Sequence, residues 1–192
     1  MNERHDHIEL ARVLLVDDDA SVLAALRRAI RGSARIGFPV EVESFTSGVE
    51  ALQRMHEHRF DVLVSDLRMP GMDGLTLLAA AADIQPECVR LILSGESDFG
   101  TMQTAVNGVG IMRYLTKPWD TEVLIRHVDE AVRHSLSQRR QRDQATQWAV
   151  SHGQVDRAEL ERRRLEDLEP GITKVEWAAD GSIVISTADP MV

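Results

Sequence analysis

Short apolar runs alternate along the chain with segments whose apolar residues recur at helical spacing. The runs predict strands over 12–19, 39–45, 60–66, 88–95 and 111–118, and the helical patterns predict helices over 21–32, 47–58, 74–83, 98–108 and 120–136. Most strand segments are nearly continuous in apolar residues, which is typical of a parallel sheet covered on both faces. With right-handed crossovers this predicts a doubly wound α/β domain. The segment "PVEVESF" (39–45) instead alternates, as an edge or half-covered strand does.

The pattern changes after residue 136. Residues 137–169 are rich in Arg, Gln and Glu and predict a solvated helix that carries on from the fifth helix. Too many heptad seam positions are polar to indicate a coiled coil, although a loose helical pair stays open. Pro170-Gly171 ends this helix, and two β-rich runs around "AADG" predict a hairpin over 172–186. A lone hairpin is marginal in water, so it should pack on the helix, the main domain or another copy.

These patterns divide the chain into four predicted parts. They are a flexible N-terminus (1–10), an α/β domain (11–136), a helical extension (137–169) and a small β-hairpin tail (170–192). The length of 192 residues suits one ordinary domain with such an addition.

Composition narrows the class of protein. Apolar residues make up 43% of the chain, enough for a core. The net charge of −9 argues against a nucleic-acid binder, although Arg clusters late in the chain. The single cysteine, Cys88, excludes an internal disulfide and fits a buried thiol in a cytoplasmic setting. The first ten residues lack the apolar region of a secretory signal, and no run approaches the ~18 apolar residues of a membrane span.

Polar residues follow the predicted strands at the points where they end. Asp17 and Asp18 end the first strand, Asp66 the third, Ser94 the fourth and Lys117 the fifth. In an open α/β sheet these ends line the ligand crevice, so the side chains should converge. Clustered carboxylates need a cation to stay ionised together, and Mg²⁺ suits oxygen ligands and a phosphoryl oxygen. The set predicts a site that accepts a phosphoryl group on Asp66, with the Pro-Gly turn behind it leaving open space.

The segments "LLVDDD", "VSDLRMPGMDG", "LILSG" and "YLTKPW" together resemble the response regulator receiver domain of two-component systems, over about residues 10–136. The resemblance implies a flavodoxin-like sheet of order 2-1-3-4-5 flanked by five helices, with a sensor histidine kinase as the phosphoryl donor to Asp66. It implies direct Mg²⁺ ligation by Asp18, Asp66 and the backbone carbonyl of Arg68, and ligation by Asp17 through water. Lys117 would pair with the phosphoryl group, and its bond to the following proline is expected to be cis.

The resemblance also implies a conformational switch. The phosphoryl oxygens would draw in the Ser94 hydroxyl, the ring of Tyr114 would turn inward, and the face of the predicted fourth helix, fifth strand and fifth helix would change shape. At the pocket mouth, Arg68 and Glu96 are expected to pair and impede the water that hydrolyses the acyl phosphate. Outside the site, Asp19 is expected to cap a helix and Asp73 to serve the turn before Gly74.

Three outputs are open on the sequence. The first, which we favour, is a signalling adaptor without a separate enzymatic domain, whose phosphorylation alters a homodimer or a partner contact through the face described above or the extension. The second is a DNA-binding regulator that uses the Arg-rich tail, although the tail lacks a helix-turn-helix pattern. The third is an enzyme effector such as a cyclic-dinucleotide phosphodiesterase. The sequence argues against it, because no His-Asp metal set follows the receiver.

Overall fold

A computed structural model describes residues 10–95, 110–151, 165, 176–177 and 183–184. The elements in chain order are β1 (Ala11–Val16), α1 (Ala20–Arg31), β2 (Val40–Phe45), α2 (Gly48–Glu57), β3 (Val62–Asp66), α3 (Gly74–Ile84), β4 (Val89–Gly95), β5 (Ile111–Lys117), α4 (Thr121–Ser151), β6 (Glu176–Trp177) and β7 (Ile183–Val184). The helix predicted over 98–108 lies outside the described residues. Helix α4 is therefore the one that the sequence predicts as the fifth.

Five strands form one parallel sheet in the order β2-β1-β3-β4-β5. This confirms the predicted doubly wound α/β fold. Strand β2 lies at the sheet edge and is mostly half-buried, as its alternating sequence predicts. The strand order reverses between β1 and β3, and in such sheets a crevice opens at the carboxyl ends of the strands on either side of that point.

Each face of the sheet has its own apolar core, which explains why the strands are nearly continuous in apolar residues. Successive side chains of a strand point to opposite faces. On β1, Val13 and Leu15 pack into the core shared with α1 and α4, whereas Leu14 and Val16 pack into the core shared with α2 and α3. The single cysteine, Cys88, is 2% exposed in the second core, as predicted.

Helix α4 continues without a break for 31 residues, past the boundary predicted at residue 136. Its buried apolar side chains end at Leu136. The continuity of α4 agrees with the expected helix, but Arg139 and Arg142 are half-buried rather than solvated. Both side chains form ion pairs with the α/β domain.

In the tail, β6 and β7 pair antiparallel, with Glu176 opposite Val184 and Trp177 opposite Ile183. These four residues fall within the two β-rich runs of the predicted hairpin. The rest of 166–192, and Gly153, where the sequence suggests a helix interruption, lie outside the described residues.

Candidate functional site

Two of the predicted carboxylates lie where the strand order reverses. Asp17 directly follows β1 and is 1% exposed, and Asp66 is the last residue of β3 and is 7% exposed. Asp18 is exposed beside them. One carboxylate oxygen from each of the three lies within 4.8 Å of the others. The sequence prediction that these acids converge is therefore matched by the geometry.

Lys117, the last residue of β5, brings a positive charge between the two buried acids. Its Nζ lies 2.6 Å from Asp17 Oδ2 and 2.8 Å from Asp66 Oδ1. Burial lowers the pKa of the Lys117 ammonium, but hydrogen bonds and charges from the two carboxylates outweigh burial, so this pKa is raised. Lys117 is thus a cation held against the candidate phosphoacceptor. The Lys117–Pro118 peptide bond is cis, as predicted.

The carboxylate of Asp17 is oriented by the start of the first helix. Its Oδ1 accepts a hydrogen bond from the Asp19 backbone N–H at 3.0 Å, while its Oδ2 accepts from Lys117. Burial raises the pKa of Asp17, and the bonds from Lys117 and the Asp19 amide oppose that rise. Asp19 itself caps α1 by accepting from the Ser21 backbone N–H at 2.7 Å, as predicted. Its own side chain therefore serves the helix.

The main chain at Asp66 is held from several sides. Leu67 N–H donates to Leu93 O at 2.8 Å, and Gly74 N–H donates to Leu67 O at 2.8 Å. A β-carbon built on Gly74 would lie 2.0 Å from the Asp66 carbonyl oxygen, so helix α3 begins directly against the backbone of the phosphoacceptor candidate. Asp73 caps that helix by accepting from Thr76 N–H at 2.7 Å, which agrees with its predicted role in the turn. The sequence predicts Gly74 as the first residue of the helix over 74–83, beside a turn, but does not reveal this contact.

The two predicted switch residues meet at one acceptor that sequence reasoning missed. Ser94 is 1% exposed, and its hydroxyl donates to Gly95 O at 3.3 Å. The half-buried Tyr114 donates its hydroxyl to the same carbonyl oxygen at 3.2 Å. A backbone oxygen carries no signal in the sequence, so only the positions of the two hydroxyls could have suggested it.

The remaining predicted residues lie at the edge of the described site. Arg68 is exposed in the turn after β3, whereas Glu96 lies outside the described residues. Their pairing across the pocket mouth stays a prediction, as does the ligand role of the Arg68 carbonyl.

The donor set fits a hard divalent cation. Three carboxylates within reach of one another offer only oxygen ligands, which Mg²⁺ prefers over the nitrogen and sulfur ligands of zinc sites. The exposed position of Asp18 leaves this side of the cluster open to water, several molecules of which Mg²⁺ retains when it binds. Asp17, Asp18 and Asp66 are the described residues whose side chains could hold it.

Residues 13–129 match the family described as response regulator receiver domain. The chain belongs to this family. It is 36% identical over 129 residues to the DNA-binding transcriptional regulator NtrC of Klebsiella pneumoniae, covering 67% of this chain and 26% of that protein. It is 27% identical over 179 residues to the hydrogenase transcriptional regulatory protein HoxA of Bradyrhizobium diazoefficiens, covering 93% of this chain and 34% of that protein. The chain therefore spans a quarter to a third of the length of these relatives.

Solved structures show the same fold in the receiver. The signal receiver domain of an HD domain-containing protein from Pseudomonas fluorescens Pf-5 is 31% identical, with a TM-score of 0.62 over 68% of this chain and 92% of that chain. The receiver domain of AraT, a response regulator from Geobacillus stearothermophilus, is 35% identical, with a TM-score of 0.59 over 69% of this chain and 99% of that chain.

The structure and the comparisons bear on two expectations drawn from the sequence, one about a membrane span and one about nucleic acid. Among the described residues, no helix has the length and apolar character that a membrane crossing requires. The expectation that nucleic acid is not a partner finds no support in the comparisons, because the relatives named above are transcriptional regulators and NtrC is named as DNA-binding.

Proposed function

We propose that this receiver accepts a phosphoryl group on Asp66 from a sensor histidine kinase in a Mg²⁺-dependent reaction. One observation carries the proposal: the Asp66 carboxylate lies 2.8 Å from the Lys117 ammonium and shares a cluster of oxygens with Asp17 and Asp18. A carboxylate nucleophile beside a fixed cation and a potential Mg²⁺ site is the arrangement that phosphoryl transfer requires, because such catalysis consists of positioning and charge neutralisation.

In the proposed reaction an Asp66 carboxylate oxygen forms a bond to phosphorus while the bond from phosphorus to the donor histidine nitrogen breaks. The electron pair of the broken bond returns to the imidazole, and Asp66 becomes an acyl phosphate. Mg²⁺ held by Asp17, Asp18 and Asp66 would neutralise charge on the phosphoryl oxygens. Lys117, already 2.8 Å from Asp66, supplies a second positive charge, and the Ser94 hydroxyl supplies a hydrogen-bond donor.

Intact-mass spectrometry with acetyl phosphate and Mg²⁺ tests this proposal. The parent chain should gain the mass of one phosphoryl group, and Asp66→Asn should gain none. Ser65→Ala is a matched control, because Ser65 is the adjacent residue of β3 and its hydroxyl donates to the Asp66 carbonyl rather than to the carboxylate. Equal labelling of the parent and Asp66→Asn would overturn the assignment of the phosphoacceptor.

For the output, we propose that phosphorylation changes a homodimer or a protein contact through β5 and α4, including the part of α4 beyond residue 136. Helix α4 supports this because it extends unbroken from the receiver core to Ser151. Near its end, Trp148 is 55% exposed and offers a large apolar surface for such a contact. Light scattering with and without beryllofluoride and Mg²⁺ should show a change in mass. An unchanged mass at all protein concentrations would contradict the dimer.

A DNA-binding output is the second candidate, and the relatives favour it. The HoxA alignment takes in 179 of the 192 residues, so it extends beyond the receiver into the tail. In this case the Arg-rich part of α4 would contact phosphates, and affinity for random duplex DNA would fall steeply with salt. Binding that is absent at low salt would remove this candidate.

A further inference from the structure

A buried carboxylate lies at the end of the sheet opposite the candidate site. Asp61 directly precedes β3 and is 2% exposed. Its Oδ2 accepts the Arg12 backbone N–H at 2.8 Å, and its Oδ1 accepts the Ser135 hydroxyl at 3.1 Å. The same Oδ1 forms an ion pair with the guanidinium of Arg139. Two of these three partners come from helix α4.

A second ion pair lies next to the first. Glu87, in the loop between α3 and β4, pairs with Arg142 and lies 3.6 Å from Arg59. Residues four and seven positions apart fall on one helix face, so Ser135, Arg139 and Arg142 form a single polar stripe directed at the receiver. A cavity of about 380 Å³ lies here, and its lining includes the side chains of the two ion pairs, Asp61 with Arg139 and Glu87 with Arg142.

These contacts begin where the apolar attachment of α4 ends. Leu136 is the last side chain of α4 in the buried apolar core. Beyond it, the described contacts of the helix with the α/β domain include the ion pairs of Arg139 and Arg142. These two ion pairs constrain the orientation of the extension, and one of them involves a carboxylate that is 2% exposed.

We propose that Asp61 and Glu87 form a docking site for the helical extension, and that this site fixes the direction in which the extension leaves the receiver. Its importance for signalling rests on the proposed function. Asp61 and Asp66 lie at opposite ends of β3, roughly 16 Å apart for a strand of this length. One short strand thus joins the phosphoacceptor to the anchor of the output helix.

Distance measurements between spin labels test the proposal on the full chain. The labels are attached at Gln53→Cys on α2 and Gln147→Cys on α4, both exposed positions, in a Cys88→Ala background, with excess unlabelled chain to suppress signals between copies. The parent should give one narrow distance distribution. The double variant Asp61→Asn/Arg139→Gln removes both charges of the inner pair without leaving either uncompensated, and should lose the narrow peak.

Arg126→Gln is the matched control, because it removes the same charge from an exposed position of the same helix and should keep the narrow peak. Should the double variant fail to fold, Arg142→Gln is measured instead, since it removes only the outer pair, and a broadened distribution is again expected. An unchanged distribution in the variant measured would overturn the proposal.

Labelling with acetyl phosphate separates this inference from the proposed function. The double variant should still gain the mass of one phosphoryl group, because the anchor acts on the extension and not on Asp66. Loss of labelling in the double variant, with the parent labelled, would contradict the proposal. A parent chain that takes up no phosphoryl group would refute the phosphoacceptor and leave the distance result standing.

Discussion

The contact between Gly74 and Asp66 leads to a sharp prediction for Gly74→Ala. The new β-carbon would lie 2.0 Å from the Asp66 carbonyl oxygen and 2.9 Å from the Asp66 carbonyl carbon and Leu67 Cα, whereas real β-carbons essentially never approach within 3.0 Å. All three neighbours are backbone atoms, so no flexible side chain can yield. Hydrogen bonds from Leu67 to Leu93 and from Gly74 to Leu67 tie this segment on both sides. Relief of the clash therefore requires a backbone displacement of about 1 Å.

A displacement of this size should be costly for phosphoryl transfer. Misplacing a reacting group by about 1 Å can lower a rate by about 100-fold, which corresponds to about 2.7 kcal/mol of barrier. We expect Gly74→Ala to gain phosphoryl mass from acetyl phosphate and Mg²⁺ about 100-fold more slowly than the parent. Overpacking should also lower the free energy of unfolding by about 1–3 kcal/mol.

Gly71→Ala is the control for this prediction, because it places the same methyl group in the same turn. Nothing lies within 4 Å of its β-carbon position, but its φ of 78° is unfavourable for alanine. This variant should lose about 1–2 kcal/mol of stability and keep its labelling rate, since the Asp66 backbone need not move. If the labelling rate of Gly74→Ala stays within about threefold of the parent rate, the barrier has changed by under about 1 kcal/mol. That result would show that α3 moves instead of the Asp66 backbone and would refute the reasoning.

Three further predictions follow from single side chains. Lys117→Gln should tighten Mg²⁺ binding roughly tenfold in calorimetry, because the ammonium lies against Asp17 and Asp66 and repels a second cation; weaker binding would be the contrary result. Asp19→Ala should lower the free energy of unfolding by about 1 kcal/mol in a denaturant titration, since its side chain caps α1. Burial raises the pKa of Cys88 to about 12, so a disulfide reagent at pH 8 should react with the thiol only after unfolding.

The sequence predicts strands β1, β3 and β4 well because they are buried on both faces and are therefore rich in apolar residues. The site lies at the carboxyl ends of the strands. The predicted sheet therefore brings Asp17, Asp66 and Lys117 together, although up to 100 residues separate them in the sequence. Ligand sites in open α/β sheets lie at the carboxyl ends of the strands, so residues that are far apart in sequence can be predicted to meet there. Assignment of Asp66 as phosphoacceptor remains a prediction that labelling must test.

The missed features depend on contacts between distant main-chain or charged groups. Asp61 looks like an ordinary residue of the run "FDVLVSD", and nothing in the sequence assigns it a partner 78 residues away in Arg139. The arginines of 137–142 look like a solvated helical face, since charged stripes usually are. Gly95 takes part through its carbonyl oxygen, which every residue type possesses.

The arrangement around Gly95 bears on how a signal could leave the site. Ser94 and Tyr114 donate to one carbonyl oxygen, at 3.3 Å and 3.2 Å. Under the proposed function, a phosphoryl group on Asp66 would compete for the Ser94 hydroxyl, which has only one hydrogen to donate. Gly95 would then retain Tyr114 as its only hydroxyl donor of the two. Under the proposed function, a change in one hydrogen bond at the end of β4 would thus be felt at the hydroxyl of Tyr114 on β5.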